Sequence, residues 1–241
     1  METILIRERY KVVRILYTAE DYVLAEAVDI QDRDTPLCLI NLYGGALLHR
    51  YGRIYADLRP ERCPDFQRVF LEKETLTAVF SDQRGTPIDR LFYQGDRWSW
   101  ADRIEYTEQF LHAALLLEDI PPEIGCAVLR SENVLVSTTG KTVRLRFAVL
   151  PMEEMNGREL ALLAADQVRK LLPGRLTGPD AEAAFSKRVR QGAYPSVVTL
   201  YSAWRETREQ IRAGYEEWDE KGWIKKGFIL LKRLVKRRRA A

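Results

Sequence analysis

The stretch from Ile124 to Val149 reads IGCAVLRSENVLVSTTGKTVRLRFAV. Two short runs of β-branched and aliphatic residues, Val134–Val136 and Val143–Leu145, flank a turn that contains Gly140. Aliphatic runs on both sides of a glycine-containing turn are typical of a β-hairpin. A helical segment precedes the hairpin, and the polar Asn133 stands directly before its first strand. The stretch therefore predicts a helix, a polar turn and a hairpin in that order.

The segments before this stretch read as a strand-rich half that ends in a helix and a second hairpin. Alternation and β-branched content predict strands, helical spacing predicts helices, and Arg59-Pro60 ends the first helix. The predicted strands are Tyr10–Leu16, Tyr22–Ala27, Leu37–Leu42, Gln67–Leu71 and Leu76–Phe80, with a helix at Ala46–Leu58 and a hinge at Ser81–Gly85.

The segments on either side of the central hairpin read as helices. Broad apolar faces at helical spacing indicate helices buried in a larger lobe. The predicted helices are Pro87–Tyr93, Ala101–Leu117, Glu159–Leu172, Asp180–Gln191 and Val197–Glu216.

This order of elements resembles the protein kinase superfamily over roughly residues 7–172. The family reads His-Arg-Asp-Leu-Lys-x-x-Asn, then two strands, then Asp-Phe-Gly. Here Cys126–Asn133 stands at the first motif and Arg146–Ala148 at the second. The resemblance implies an α+β, two-lobe kinase-like fold. It has a β-rich N-lobe (1–80), a shortened helical C-lobe (81–220) and a basic amphipathic tail (221–241).

The residues that perform chemistry in the family are replaced at the matching positions. The resemblance puts Val128 at the catalytic base, Arg146 at the magnesium-binding Asp and Ala148 at the Gly of the second motif. Phe147 matches the family's Phe and is expected to pack in the core. Asn133 matches the second magnesium ligand, and one neutral amide cannot retain a divalent ion alone.

The phosphate-binding parts of the N-lobe are also missing. Asn41 stands where the family has its phosphate-pairing Lys, and no glycine occurs between Met1 and Tyr43. Glycines let backbone amides approach phosphates closely, whereas Glu20 and Asp21 in the first link would repel them. Only Val149–Arg158 separates the second motif from the next helix, which leaves little room for an activation segment. Phosphoryl transfer depends on charge neutralisation, so we expect no enzyme activity, no cofactor and no metal.

Two of these residues have alternative interpretations. Asn133 is either a turn or cap residue that bonds backbone amides or a remnant of a magnesium ligand. Arg146 either forms an ion pair with a neighbouring acid or places its own cation in the cleft in place of magnesium.

Composition and cysteine use indicate an ordinary globular protein. The chain has 241 residues, of which 46% are hydrophobic and 30% charged, enough to bury a sizeable core. Cys38, Cys63 and Cys126 are far apart and odd in number, so we expect buried apolar thiols, no zinc site and no disulfide. The expected lack of disulfides favours a cytoplasmic location, and so does the lack of a visible signal peptide or membrane-spanning run.

The last 21 residues carry nine Lys or Arg and no acid. The net charge of the whole chain is +3, so the rest of the chain has a net charge of −6. On a helical wheel most apolar side chains of this tail share one side, with Ile229 the exception, and the basic ones lie opposite. This pattern is typical of an interfacial membrane helix. The alternative is a last C-lobe helix that packs its apolar side on the domain. The residues predicted to contact a membrane or partner are Trp223, Lys225, Lys226, Phe228, Leu231, Lys232, Arg233, Lys236 and Arg237.

Three functional hypotheses follow. The first is an inactive, bacterial-type pseudokinase that acts as a scaffold or regulator in the cytoplasm, tethered through its tail either to the inner face of a membrane or to a protein partner. The second is a nucleotide-using transferase with atypical chemistry on the same fold. The third is a cytoplasmic subunit of an envelope or secretion assembly. Nucleic-acid binding is not expected, because the body is acidic and carries no recognisable binding motif.

Overall fold

A computed structural model describes residues 4–32, 37–93, 95–175 and 177–240 of the chain. The first half is an antiparallel sheet of six strands in the order β1-β2-β3-β4-β6-β5. One helix, α1, packs against β4 and β6. These elements are β1 (Leu5–Ile6), β2 (Tyr10–Ala19), β3 (Tyr22–Asp29), β4 (Leu37–Tyr43), α1 (Gly45–Ala56), β5 (Phe66–Glu72) and β6 (Thr75–Ser81).

The second half is mainly helical and contains a small three-stranded sheet in the order β7-β8-β9. The hairpin predicted from residues 134–145 is its β8–β9 pair, with Val134 opposite Leu145. The elements are β7 (Thr86–Pro87), α2 (Ile88–Leu91), α3 (Trp100–Leu115), α4 (Pro122–Val128), β8 (Val134–Ser137), β9 (Thr142–Leu145), α5 (Gly157–Leu171), α6 (Asp180–Arg190), α7 (Val197–Glu220) and α8 (Trp223–Ala240).

The link between the first long strands is shorter than the sequence indicated. We expected four linking residues, Thr18 to Asp21, but β2 continues to Ala19 and only Glu20 and Asp21 form the turn. Asp21 lies at the start of α1, where its carboxylate accepts a hydrogen bond from the Ala46 backbone amide at 3.2 Å. A carboxylate at a helix N-terminus is favoured by the helix dipole. Gly45 has a φ of +44°, and a side chain there would collide with Asp21.

One hydrophobic core runs through both halves of the molecule. It extends from Tyr22 on β3 through Phe80 and Phe147 to Trp204 on α7. A smaller cluster covers the outer face of the sheet around Tyr10. Because the main core crosses from the sheet to the helices without interruption, the two halves are packed against each other.

The three cysteines are free and buried, which confirms the expectation of apolar thiols. Burial raises the pKa of each thiol to about 12. A thiol with such a pKa is a poor nucleophile at neutral pH. Of the helices in the described ranges, none is both long and apolar enough to span a bilayer.

Candidate functional site

Asn41 lies in the middle of β4 and is completely buried. Its Oδ1 accepts hydrogen bonds from the Tyr22 hydroxyl and the Val149 backbone amide, both at 2.8 Å. Its Nδ2 donates to the Phe147 carbonyl oxygen at 3.0 Å. The position matched to the family's Lys thus ties the sheet to the chain that leaves the β8–β9 hairpin.

Three tyrosines fill the space between β4 and α1. The rings of Tyr43 and Tyr51 stack with centroids 4.2 Å apart. The Tyr43 hydroxyl donates to the Val149 carbonyl oxygen at 2.7 Å and lies 2.9 Å from the Tyr55 hydroxyl. Burial raises the pKa of Tyr43, Tyr51 and Tyr55, so all three remain neutral phenols at physiological pH. Uncharged hydroxyls and rings therefore fill the space beside Asn41, between β4 and α1.

The rings of Phe80 and Phe147 pack together in the main core, where the sheet meets the helical half. They stack with centroids 4.9 Å apart and an interplanar angle of 8°, and both side chains are buried. Phe147 therefore packs in the core, as the sequence predicted.

Asn133 joins the turn before β8 to the segment after β9. Its Nδ2 donates to the Ala127 carbonyl oxygen at 2.8 Å and to the Ala148 carbonyl oxygen at 3.1 Å. Asn133 therefore bonds the backbone around the turn, but the partners of its Nδ2 are carbonyl oxygens, whereas we expected backbone amides. Val128, at the position of the catalytic base, is fully buried in the core.

Arg146 forms the ion pair that the sequence favoured, at the mouth of the cleft. Its guanidinium contacts Asp82 at 3.0 Å and Glu26 at 2.7 Å. Glu26 also pairs with Arg14 at 2.8 Å. Burial opposes ionisation of Glu26, but the hydrogen bonds from Arg14 and Arg146 outweigh it and lower the pKa of this carboxyl.

An open cavity of about 400 Å³ lies beside this ion-pair network. Its charged lining residues are three arginines, Arg14, Arg84 and Arg146, and three acids, Glu26, Asp82 and Glu132. The signs balance, so the cavity offers no surplus cation for a triphosphate. No group of three or more potential metal ligands occurs within the described part of the chain.

The helix α8 contacts the body of the protein through its polar side. Arg233 donates to the Gly178 carbonyl oxygen at 2.7 Å and pairs with Asp180 at 3.1 Å. Lys226 donates to the Asp219 carbonyl oxygen at 3.3 Å. Both residues were predicted to contact a membrane or partner. In the structure they make contacts within the chain.

Four apolar side chains of α8, those of Trp223, Phe228, Leu231 and Val235, are exposed to solvent. Trp223 is 83% exposed, Phe228 67% and Leu231 61%. Lys225 and Lys232 are exposed beside them. The side chains of Lys236 and Arg237 lie outside the part that the structure describes. The arrangement differs from a last helix that packs its apolar side on the domain.

The sequence interpretation missed the tyrosine cluster. Tyr51 and Tyr55 are four residues apart on a predicted helix, a spacing that puts both rings on one face. That signal was present, but the pairing with Tyr43 on β4 depends on the tertiary packing of α1 against the sheet.

Comparisons with known proteins support the kinase-like fold. No family model and no curated protein matches the chain. Among the solved structures that match is the apo form of a pseudokinase, with a TM-score of 0.57 and 11% sequence identity. The match covers 82% of this chain and 92% of the other. The chain therefore has a protein kinase-like fold, with a curled β-sheet half and a helical half.

Proposed function

We propose that this chain is a catalytically inactive pseudokinase that serves as a docking scaffold, held at a membrane surface by α8. The observation that carries the proposal is the role of Asn41. The residue at the phosphate-pairing position uses its amide to fasten β4 to Phe147 and Val149. Binding a phosphate there would break three buried hydrogen bonds, each expensive to leave unmade.

The other matched positions support the same proposal. Val128 has no proton-accepting group, and Arg146 brings positive charge to the place where the family holds a metal ion. Only residues 149–156 separate Ala148 from α5. A peptide-substrate platform hardly fits in so short a segment. A fold that lacks these catalytic parts still offers its surface to a protein partner, and this suits a scaffold.

The exposed apolar side of α8 supports attachment to an anionic membrane. A helix with Trp, Phe and Leu on one side and Lys and Arg on the other lies in the interface between headgroups and acyl chains. Each basic residue near an anionic leaflet contributes about 1 kcal/mol.

An ATP assay tests the inactivity. The full chain is incubated with labelled ATP and magnesium, with casein and myelin basic protein as acceptors, and with a chelator in a matched sample. We expect no transfer above the heat-denatured control and no rise in melting temperature with ATP. Magnesium-dependent transfer by the folded chain would overturn the proposal of an inactive protein.

Vesicle co-sedimentation tests the attachment. The full chain and a chain that ends at Glu220 are mixed with vesicles containing about 30% anionic lipid. We expect the full chain to sediment at low salt and the shorter chain to remain in the supernatant, because the shorter chain lacks α8. Equal sedimentation of the two chains would rule out anchoring by α8.

A further inference from the structure

A cavity of about 440 Å³ lies where the sheet half meets the helical half. It is bounded by the loop before β5, by the end of α3 with the turn that follows it, and by β9. Its size falls in the range of small-molecule sites, roughly 300–1,000 Å³. Most of its wall can contact an apolar group, because the lining includes Leu116, Leu117, Ile120, Val143, Leu145 and Phe147.

Three polar side chains of the lining are joined in series. Gln83 Nε2 donates to Asp65 Oδ1 at 2.6 Å, and Arg144 Nη1 donates to Gln83 Oε1 at 3.3 Å. All three residues line the cavity. The Gln83 amide thus stands between a carboxyl group and a guanidinium group. This polar wall, formed by Asp65, Gln83 and Arg144, therefore has a negative end and a positive end.

Both ends of the polar wall keep hydrogen-bonding capacity. Asp65 Oδ2 has no partner among the hydrogen bonds and ion pairs of the described residues, and this oxygen retains surface that is accessible to solvent. Arg144 is exposed and uses one of its several N–H donors on Gln83. Burial raises the pKa of Asp65, because the hydrogen bond from Gln83 and the charge of Arg144 do not compensate for it. A cation beside Oδ2 would favour the ionised carboxylate.

The two charged ends are close enough for one small molecule to reach both. The oxygen and nitrogen of an amide are about 2.3 Å apart. Arg144 Nη1 and Asp65 Oδ1 therefore lie no more than about 8 Å from each other. In a free amino acid the ammonium nitrogen lies about 3 Å from the carboxylate oxygens, and a charge-assisted hydrogen bond adds about 2.8 Å at each end. A zwitterion can therefore span the polar wall alongside the Gln83 amide.

The charges of the lining favour a ligand that carries both signs. Arg62, the other cation of the lining, pairs with Asp119 at 3.7 Å. One cation, Arg144, and one acid, Asp65, remain for a ligand. A ligand with a single charge would leave one of the two without a partner in a largely apolar cavity, which is unfavourable.

We propose that this cavity binds a free α-amino acid with a large apolar side chain, such as leucine or phenylalanine. The ammonium group donates to Asp65 Oδ2, the carboxylate accepts from Arg144, and the side chain packs against the apolar part of the wall. The site does not depend on the proposed scaffold function, because the polar wall includes neither Asn41 nor any residue of α8.

Calorimetric titration of the full chain at neutral pH tests the site with leucine and phenylalanine. Leucine is compared with leucinamide, which lacks the carboxylate, with isocaproate, which lacks the ammonium group, and with glycine, which lacks the side chain. We expect leucine to bind at least tenfold more tightly than each of these compounds, because each one gives up a charge-assisted hydrogen bond or the apolar contact.

Arg144→Gln tests the positive end of the polar wall. The variant should bind leucine about tenfold more weakly or worse, because the carboxylate loses its cation. Arg144 is exposed, so the variant should fold as the unmodified chain does. The matched control is Arg188→Gln, an exposed position on α6 outside the cavity, and it should bind leucine as the unmodified chain does.

Asp65→Asn tests the negative end. The new side chain still offers an oxygen to Gln83 Nε2 but carries no charge. The affinity for leucine should fall to that for isocaproate, whereas the affinity for isocaproate should stay the same or rise. The melting temperature is measured alongside, because Asp65 is half-buried. Where this variant fails to fold, the comparison of the Arg144 and Arg188 variants still decides.

Three results would overturn the proposal. The first is an absence of binding by both leucine and phenylalanine at millimolar concentration. The second is binding of leucinamide or isocaproate as tight as that of leucine, since a zwitterion would then have no advantage. The third is equal affinity of the Arg144 and Arg188 variants for leucine.

Discussion

Asn41 occupies a position where a buried charge would be costly. A Lys there would need a carboxylate or a phosphate partner, because an unpaired buried ammonium is strongly destabilising. The amide instead accepts two hydrogen bonds and donates one, all within the protein. Asn41 therefore acts as a structural residue, and the neighbouring Tyr43, Tyr51 and Tyr55 are uncharged because burial raises the pKa of each hydroxyl.

Arg146 leads to a prediction about acid stability. The folded protein lowers the pKa of Glu26, so its ionised form favours folding. This contribution is complete above the unfolded pKa of about 4.3 and is lost as the pH falls through the folded value. Arg146→Met removes one of the two arginines that pair with Glu26. We therefore expect the variant to lose more stability at pH 6 than at pH 3, measured from urea midpoints.

The control for this comparison is Arg188→Met, an exposed arginine with no carboxylate partner among the described ion pairs. It should change the midpoint little at either pH. A loss in Arg146→Met that is the same at pH 6 and pH 3 would mean that the ion pair with Glu26 does not contribute to folding.

The hydrogen-bond partners of single residues were harder to predict from the sequence than the order of the elements that carry those residues. The sequence predicted that Phe147 packs in the core, as the structure shows, but it did not identify the carbonyl oxygens that Asn133 bonds. Those acceptors, Ala127 and Ala148, are 6 and 15 residues away. Ala127 lies at the end of α4 and Ala148 lies after β9, so the two acceptors come from opposite ends of the hairpin. Hydrogen-bond partners across such separations follow from tertiary packing, which residue order does not reveal.

Secondary-structure elements were predictable because their signals are local. The capping box of Asn156 and Glu159 starts α5, and Pro173 follows its end. Hydrophobic periodicity located α3 and α7. The sequence did not predict which side of α8 faces the domain, because an amphipathic helix can pack against a domain through either side. Contacts of Lys226 and Arg233 with the chain leave the apolar side outward.

The exposure of α8 leads to a prediction at the level of the element. Phe228→Asp combined with Leu231→Asp removes two exposed apolar side chains and adds negative charge near an anionic surface. Burying each of these side chains contributes about 1.5–3 kcal/mol. We expect vesicle binding to fall by more than tenfold, measured by co-sedimentation, with an unchanged melting temperature because neither residue packs in the core.

The matched control for the double variant is Leu116→Asp combined with Leu162→Asp, which changes two exposed leucines outside α8. It should bind vesicles much as the unmodified chain does. A fall in melting temperature in the α8 variant, without any loss of vesicle binding, would indicate that the apolar side packs on the domain in solution.

At the scale of the whole molecule, the continuous core makes the two halves depend on each other. Active kinases need lobes that move around a nucleotide. Here the Phe80–Phe147 stack and the Asn41 hydrogen bonds join the sheet to the segment after the hairpin. Breaking these contacts to open the cleft would expose buried rings and leave backbone groups without partners. The molecule should therefore unfold as one cooperative unit.

The distribution of tryptophan allows a direct measurement of this coupling. All five tryptophans, Trp98, Trp100, Trp204, Trp218 and Trp223, lie in the helical half or in α8, whereas Asn41 lies in the sheet. Asn41→Leu leaves the Tyr22 hydroxyl and two backbone groups without their partner. We expect the free energy of unfolding of this variant to fall by about 3 kcal/mol. If unfolding is cooperative, tryptophan fluorescence and far-UV circular dichroism will report the same lowered urea midpoint.

The control variant is Leu71→Ala, at an exposed position on β5, which should leave both midpoints nearly unchanged. A lowered midpoint by circular dichroism with an unchanged tryptophan midpoint would mean that the halves unfold separately, and that the shared core does not hold the cleft closed.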